Sequence, residues 1–119
     1  MEYHFLVIDS VLFKGINLVV KDADETILGG IVGSNTEESN LYIEHLWIDE
    51  AHRKQGLGSR LLAAFEDVAQ KKHFNNIFVD TFEFQAPLFY EKNNYQLYEI
   101  RHNNVAGYKR FYYSKSLYK

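Results

Sequence analysis

The sequence predicts an α/β domain built on a mixed sheet. Runs of β-branched and apolar residues fill the first 48 positions, one amphipathic stretch follows, and the remainder alternates strand, short helix and two aromatic strands. At 119 residues with 46% hydrophobic and 16% aromatic side chains, the chain suits one domain over 1–119 with a real core.

Each element has its own signal. A short run at residues 4–8 (HFLVI) is the first expected strand. Residues 16–21 (INLVVK) and 26–33 (TILGGIVG) form the next two, joined by a hairpin turn over Asp22, Ala23, Asp24 and Glu25. Residues 34–40 (SNTEESN) read as a polar loop, and residues 41–48 (LYIEHLWI) as a fourth strand. The period then changes: Leu57, Leu61, Leu62, Phe65, Val68 and Ala69 place one apolar stripe on a helix of about 15 residues. Residues 76–81 (NIFVDT) predict a central strand buried on both faces. Pro87 fits the first turn of a short helix over 86–93, and Asn94 can end it in the left-handed conformation. Two closing strands are expected at 95–101 and 109–117, with a turn holding Asn103, Asn104 and Gly107.

Charge and composition narrow the function. A formal charge of -3 and a pI near 5.9 argue against a general nucleic-acid surface, which carries clustered basic residues. The absence of cysteine removes disulfides, thiolate zinc sites and thiol catalysis. The five histidines show no metal-ligand spacing, so no metal is expected. No apolar run approaches the roughly 18–20 residues of a membrane span, and no signal-peptide pattern opens the chain. A soluble cytoplasmic protein without membrane or nucleic-acid partners is the expectation.

The segment between the fourth strand and the long helix carries the chemistry. Gly56 and Gly58 at the helix mouth let backbone NH groups approach a ligand, and the unsatisfied NH groups of a first helical turn favour anions. Arg53, Lys54 and Arg60 add positive charge there, so a pyrophosphate is a natural partner. A plain loop has the same glycine pair. The pattern is neither a Walker P-loop nor the dinucleotide GxGxxG.

Arg53-x-x-Gly56-x-Gly58 resembles the signature with which GNAT N-acetyltransferases hold the pyrophosphate of coenzyme A. Ala86-Pro87-Leu88-Phe89-Tyr90-Glu91-Lys92-Asn93-Asn94-Tyr95 is similar to that family's second motif. The resemblance implies a mostly antiparallel sheet with a central splay, flanked by helices, and acetyl transfer from acetyl-CoA to an amine. Carried over by position, Arg53, Lys54, Gln55, Gly56, Leu57, Gly58 and Ser59 would hold the pyrophosphate. The backbone of Leu46, Trp47 and Ile48 would take the pantetheine as a pseudo-strand and polarise the thioester carbonyl, although Trp47 also reads as a core anchor. Tyr90 would protonate the leaving thiolate. Glu83 stands where many members place an Asn, so that pantetheine contact passes to Gln85 or Thr81.

An acceptor amine must lose a proton, which calls for a carboxylate. Glu44 is either that base, its pKa raised by burial among apolar neighbours, or a surface glutamate. Alternation puts His45 on the opposite face. Asp80 is either a second polar group in the cleft or a structural acceptor. The acceptor is a small-molecule or peptide amine. Most members place a strand and two helices before the first strand matched here, so part of the acceptor wall is expected from a second subunit. A homodimer through Tyr98, Phe111 and Tyr113 follows as an expectation. The alternative reading is a catalytically weak acyl-CoA-binding or regulatory module, and a further one is a small interaction domain that binds nothing at its glycine loop.

Overall fold

The computed structural model describes residues 2–8, 15–36, 38–83, 85–102 and 107–118. They form strands β1 (His4–Val7), β2 (Gly15–Lys21), β3 (Ile27–Asn35) and β4 (Asn40–Ile48), helix α1 (Leu57–Lys71), strand β5 (Asn76–Phe82), helix α2 (Pro87–Lys92), and strands β6 (Gln96–His102) and β7 (Lys109–Ser116). A single 3-10 turn at Glu50–His52 joins β4 to the loop before α1. The expected order of strands and helices is the observed one. The loop read at 34–40 is shorter, because β3 continues to Asn35 and β4 begins at Asn40.

All seven strands lie in one sheet in the order β1-β2-β3-β4-β5-β7-β6. Every neighbouring pair is antiparallel except β4 and β5, which run parallel and pair only at Asn40–Asn76, Leu41–Ile77 and Tyr42–Phe78. A parallel pair needs a crossover, and α1 supplies it. The seam is pinned at its start, where Asn76 Nδ2 donates to Asn40 Oδ1 at 3.1 Å. Beyond Phe78 the two strands diverge. This is the central splay.

Local chemistry sets the connections. Asp22 Oδ1 accepts from the NH groups of Asp24 and Thr26 at 2.9 and 3.0 Å, and so closes the β2–β3 turn. Just past the end of α1, His73 at φ 65° turns the chain so that Phe74 NH reaches Ala69 O at 3.0 Å. Pro87 opens α2, and Asn94 at φ 69° turns the chain into β6 as expected.

The core lies between α1 and one face of the sheet. Leu57, Leu61, Leu62, Phe65 and Ala69 of α1 are buried, together with Ile16, Leu18 and Val20 of β2 and Leu41 and Ile43 of β4. Each large apolar side chain contributes about 1.5–3 kcal/mol by leaving water. The alternation in β2 points three residues inward, as its sequence suggests. On β5 only Ile77, Val79 and Thr81 are buried, while Phe78, Asp80 and Phe82 are half-buried. The strand is therefore central yet one-sided, because only one face of the sheet carries a helix there.

Two further expectations are corrected. Trp47 is 48% exposed and anchors no core; its indole lies across Gly30 on the face away from α1. Tyr113 is fully buried, so it cannot belong to an association surface. Strand alternation turns it toward α2, where its hydroxyl donates to Glu91 Oε2 at 2.6 Å. Tyr98 is 53% exposed, and Phe111 is half-buried. Asn103 and Asn104 lie outside the described residues, while Gly107 has the expected turn conformation at φ 74°.

Gly33 faces Phe65 so closely that an added Cβ would stand 2.5 Å from the ring Cζ. Phe65 is completely buried, so any shift of its ring would disturb the core packing around it. Gly33→Ala is expected to destabilise the fold by about 1–3 kcal/mol through overpacking. A thermal melt would show this as a lower midpoint, and an unchanged midpoint would refute the close packing.

Candidate active site

The divergence of β4 and β5 opens a cavity of about 540 Å³ through the sheet. Residues 42–46 of β4 and 79–82 of β5 line it, with Gln85, Ala86, Tyr90 and Arg110. Ile43, Val79, Thr81 and Tyr90 belong to the helix-bearing side. Tyr42, Glu44, His45, Asp80, Phe82 and Arg110 belong to the open side. A ligand on either face can thus reach the same gap.

Glu44 owes its position to a break in register. Val32 pairs with His45 and Gly33 with Ile43, so Glu44 is the extra residue of a β-bulge. Both Glu44 and His45 consequently line the cavity, and the expected opposition of the two side chains fails because alternation is interrupted at that residue. Glu44 is also exposed rather than buried among its apolar neighbours. Ser34 Oγ donates to its Oε1 at 3.0 Å and orients the carboxylate.

Tyr90 is 6% exposed and packs edge-on against Phe89 and Tyr95, with ring centroids at 5.2 and 5.6 Å. Tyr113 lies at 6.0 Å on another side. Burial, reinforced by the Asp80 carboxylate, pushes its pKa up to about 12. Its proton is thus held more firmly than that of an exposed tyrosine.

Asp80 takes the structural role as well as a place in the cavity wall. Its carboxylate accepts from Arg110 Nε, whose guanidinium lies over the Phe82 ring at 5.1 Å. Arg110, Tyr42 and Phe82 were not legible as cavity residues. The Asp80–Arg110 pair joins positions 30 apart, and only the β5–β7 register brings them together.

Thr81 and Gln85 build the entry to α2. Thr81 Oγ1 accepts from Ala86 NH at 3.2 Å and lies 3.3 Å from Gln85 Oε1, which also accepts from Phe82 NH at 2.9 Å. The Thr81 hydroxyl is therefore committed to the turn. The amide nitrogen of Gln85 is the end of that side chain which the turn does not use. Glu83 lies outside this cavity, with Oε1 accepting from Lys109 NH at 3.2 Å.

At the helix-bearing side, the loop before α1 is shaped for close backbone approach. Lys54 and Gly56 both adopt left-handed conformations, at φ 66° and 76°. For a lysine this conformation costs on the order of 1–2 kcal/mol. A Cβ on Gly56 would meet nothing within 4 Å, so the loop leaves open space in front of the helix. The first turn of α1 has no side-chain cap and no acidic residue. Its NH groups at Leu57, Gly58 and Ser59 precede the first intrahelical acceptors, and unpaired donors of this kind at a helix N-terminus favour negative charge.

Other side chains of this segment have structural duties. Arg53 Nε donates to Ile48 O at 3.0 Å and fastens the loop to the end of β4. Arg60 lies over the Tyr3 and Phe5 rings at 5.1 and 5.3 Å, so its guanidinium ties the first turn of α1 to the N-terminal segment. Gln55 Oε1 accepts from Tyr3 Oη at 3.4 Å. Gly58 admits Phe89 of α2, since a Cβ there would stand 3.3 Å from that ring. Ser59 Oγ accepts from Asn93 Nδ2 at 3.1 Å, which ties the first turn of α1 to the end of α2. Leu46 and Ile48 are half-buried beside the gap. No cluster of three His, Asp or Glu side chains suited to a metal occurs among the described residues.

Comparison with known proteins places this arrangement. A sequence model of the Acetyltransferase (GNAT) family matches residues 5–95. An acetyltransferase of Agrobacterium fabrum is 33% identical over 79 residues, covering 66% of this chain and 57% of that protein. Blasticidin-S acetyltransferase of Streptomyces morookaense is 41% identical over 73 residues, covering 60% and 52%. The chain thus spans little more than half the length of these curated relatives. A crystal structure of an acetyltransferase from Bacillus cereus superposes with a TM-score of 0.79 at 36% identity, covering 87% of this chain and 73% of that one. Family match, splayed sheet and glycine loop at the mouth of α1 agree: the chain belongs to the GNAT family of acetyltransferases.

Proposed function

We propose that the protein transfers an acetyl group from acetyl-CoA to a primary amine by direct attack. The observation that carries this reading is the gap between β4 and β5, which has an anion-binding helix terminus on one side and a bulged carboxylate on the other. When bound, acetyl-CoA supplies an acyl thioester. The residues fit such a molecule: the open space before Gly56 and the uncapped first turn of α1 suit a pyrophosphate, with Arg53, Lys54 and Gln55 in the same loop. Beyond the seam, the backbone of Leu46, Trp47 and Ile48 has no β5 partner, and there it holds an extended arm. Gln85 offers its amide nitrogen to that arm, positioned by Thr81.

Proton movements follow from the two sides of the gap. Glu44 Oε takes a proton from the acceptor amine on the open face, oriented by Ser34. Tyr90 Oη holds its proton through neutral pH and delivers it to the departing sulfur. A backbone NH of the Leu46–Ile48 stretch, next to the bulge at Glu44, polarises the thioester carbonyl and stabilises the oxyanion. An acidic chain mildly favours a cationic acceptor.

Expected outcomes of binding, substitution and pH test this. Acetyl-CoA titrated into the protein is expected to bind and to raise the melting temperature by mass action. Gly56→Asp should abolish that binding, because its carboxylate would enter and repel the anion site; retained affinity in a folded variant would rule out the loop. Tyr90→Phe should cut turnover by about ten- to a thousandfold with little change in coenzyme affinity. Because the folded-state pKa of Tyr90 is raised to about 12, its proton is present throughout the neutral range, and no alkaline loss of rate should trace to it below that pH. The same shift stabilises the fold fully below the ordinary tyrosine pKa, and this contribution fades as pH rises through about 12. Glu44→Gln should slow the reaction chiefly at mildly acidic pH; parallel pH profiles for variant and wild type would remove Glu44 from the mechanism.

A further inference from the structure

An aromatic stripe leaves the open side of the cavity and crosses the sheet. It starts at Tyr42 in the cavity wall, which pairs in register with Phe78 on β5 and so shares its face. Phe78 meets Tyr98 edge-on, with centroids 6.0 Å apart and planes at 85°. Tyr98 in turn lies 6.2 Å from Tyr112, whose register partner is Asp80. Tyr98 is brought to this face by a second irregularity: Leu97 pairs with Tyr113 and Glu99 with Tyr112, leaving Tyr98 as the extra residue. It is 53% exposed, whereas Tyr42, Phe78 and Tyr112 are half-buried. No described helix covers this face.

From this geometry we infer that the stripe selects the acceptor, and that the preferred acceptor is a primary amine joined by a short tether to a planar conjugated ring. The inference rests on the acetyl-transfer reading, whose base and cavity lie at the start of the stripe. Planar groups already stack at its border, where the Arg101 guanidinium lies 4.9 Å from the Tyr112 centroid and that of Arg110 lies 5.1 Å from Phe82. The perpendicular Phe78 and Tyr98 rings make a corner that meets a flat ring with one face and one edge, the arrangement aromatic pairs prefer. Distance sets the tether. Tyr42 lies two residues from Glu44, and Phe78 is one strand further, so strand geometry puts the corner roughly 8 Å from the base. An amine two to four carbons from its ring spans that reach. A second copy of the chain fits less well as occupant, because the stripe is continuous with the interior of the gap.

The test compares phenethylamine and phenylbutylamine with cyclohexylethylamine, which has similar bulk but no planar ring. Binding to coenzyme A-saturated protein is measured by calorimetry, and turnover is followed with acetyl-CoA. The aryl amines are expected to bind at least about threefold more tightly than the cyclohexyl compound. Tyr98→Ala should lower aryl-amine affinity and raise its KM by about three- to tenfold, leaving coenzyme A affinity and the cyclohexyl amine within about twofold. Equal affinity for aryl and cyclohexyl amines, no aryl binding, or an equal loss for both in Tyr98→Ala would overturn the inference with coenzyme binding intact. So would a fall from dimer to monomer mass in Tyr98→Ala by light scattering, which would assign Tyr98 to a subunit contact. Failure of the wild type to bind coenzyme A would be a different result, ending the acetyl-transfer reading and this inference with it.

Discussion

Where β4 and β5 stop pairing determines everything else in this molecule that bears on chemistry. Their parallel ladder holds for three residue pairs, fixed at one end by the Asn40–Asn76 amide contact. Backbone groups past Tyr42 and Phe78 face a gap, and buried peptide groups left without partners are costly unless water or a ligand takes them. The bulge at Glu44 accompanies this divergence and turns two consecutive polar side chains into the same space. A sheet that paired to its full length would have neither the cavity nor an accessible backbone at its centre.

Keeping such a gap open requires firm walls. On the α2 side they are held by a polar network joining β7, α1 and the turn between α2 and β6. Lys115 Nζ donates to Glu66 Oε1 and to Asn93 O, both at 3.0 Å, and Tyr95 Oη donates to Glu66 Oε2 at 2.8 Å. Burial, with the Glu66 carboxylate adding to it, raises the Tyr95 pKa far above the usual tyrosine range, so this hydroxyl remains a donor. The Tyr113–Glu91 bond fastens α2 to β7 in the same way. Tyr90 sits among these residues, and its ring is positioned by packing on three sides. That precision comes from rigid neighbours, the arrangement a proton donor requires.

Much of this was legible in the sequence, and what was missed has a physical cause. Periodicity located α1 and every strand because burial on one face imposes a regular spacing that local composition records. Pro87 and Asn94 marked the ends of α2 because their backbone preferences are intrinsic. The side-by-side placement of Glu44 and His45 was invisible, since a bulge depends on register with β3 and strict alternation assumes none. Arg60 read only as a charge at the helix mouth; its contacts with the Tyr3 and Phe5 rings, more than fifty positions away, come from the tertiary fold. Tyr113 and Tyr98 looked alike in a run of aromatic residues. Which one is buried was decided by α2 above one of them and by the β6 bulge beneath the other.

The Ser59–Asn93 hydrogen bond has a thermodynamic consequence. It joins the turn of α1 that offers NH groups to an anion with the last turn of the helix that carries Tyr90, and Gly58 against Phe89 packs the same junction. Whatever draws the α1 terminus toward a ligand therefore also biases the position of α2. Such a link acts equally in both directions: a ligand ordering one helix terminus favours order in the other, and disorder in α2 weakens the hold of α1 on that ligand.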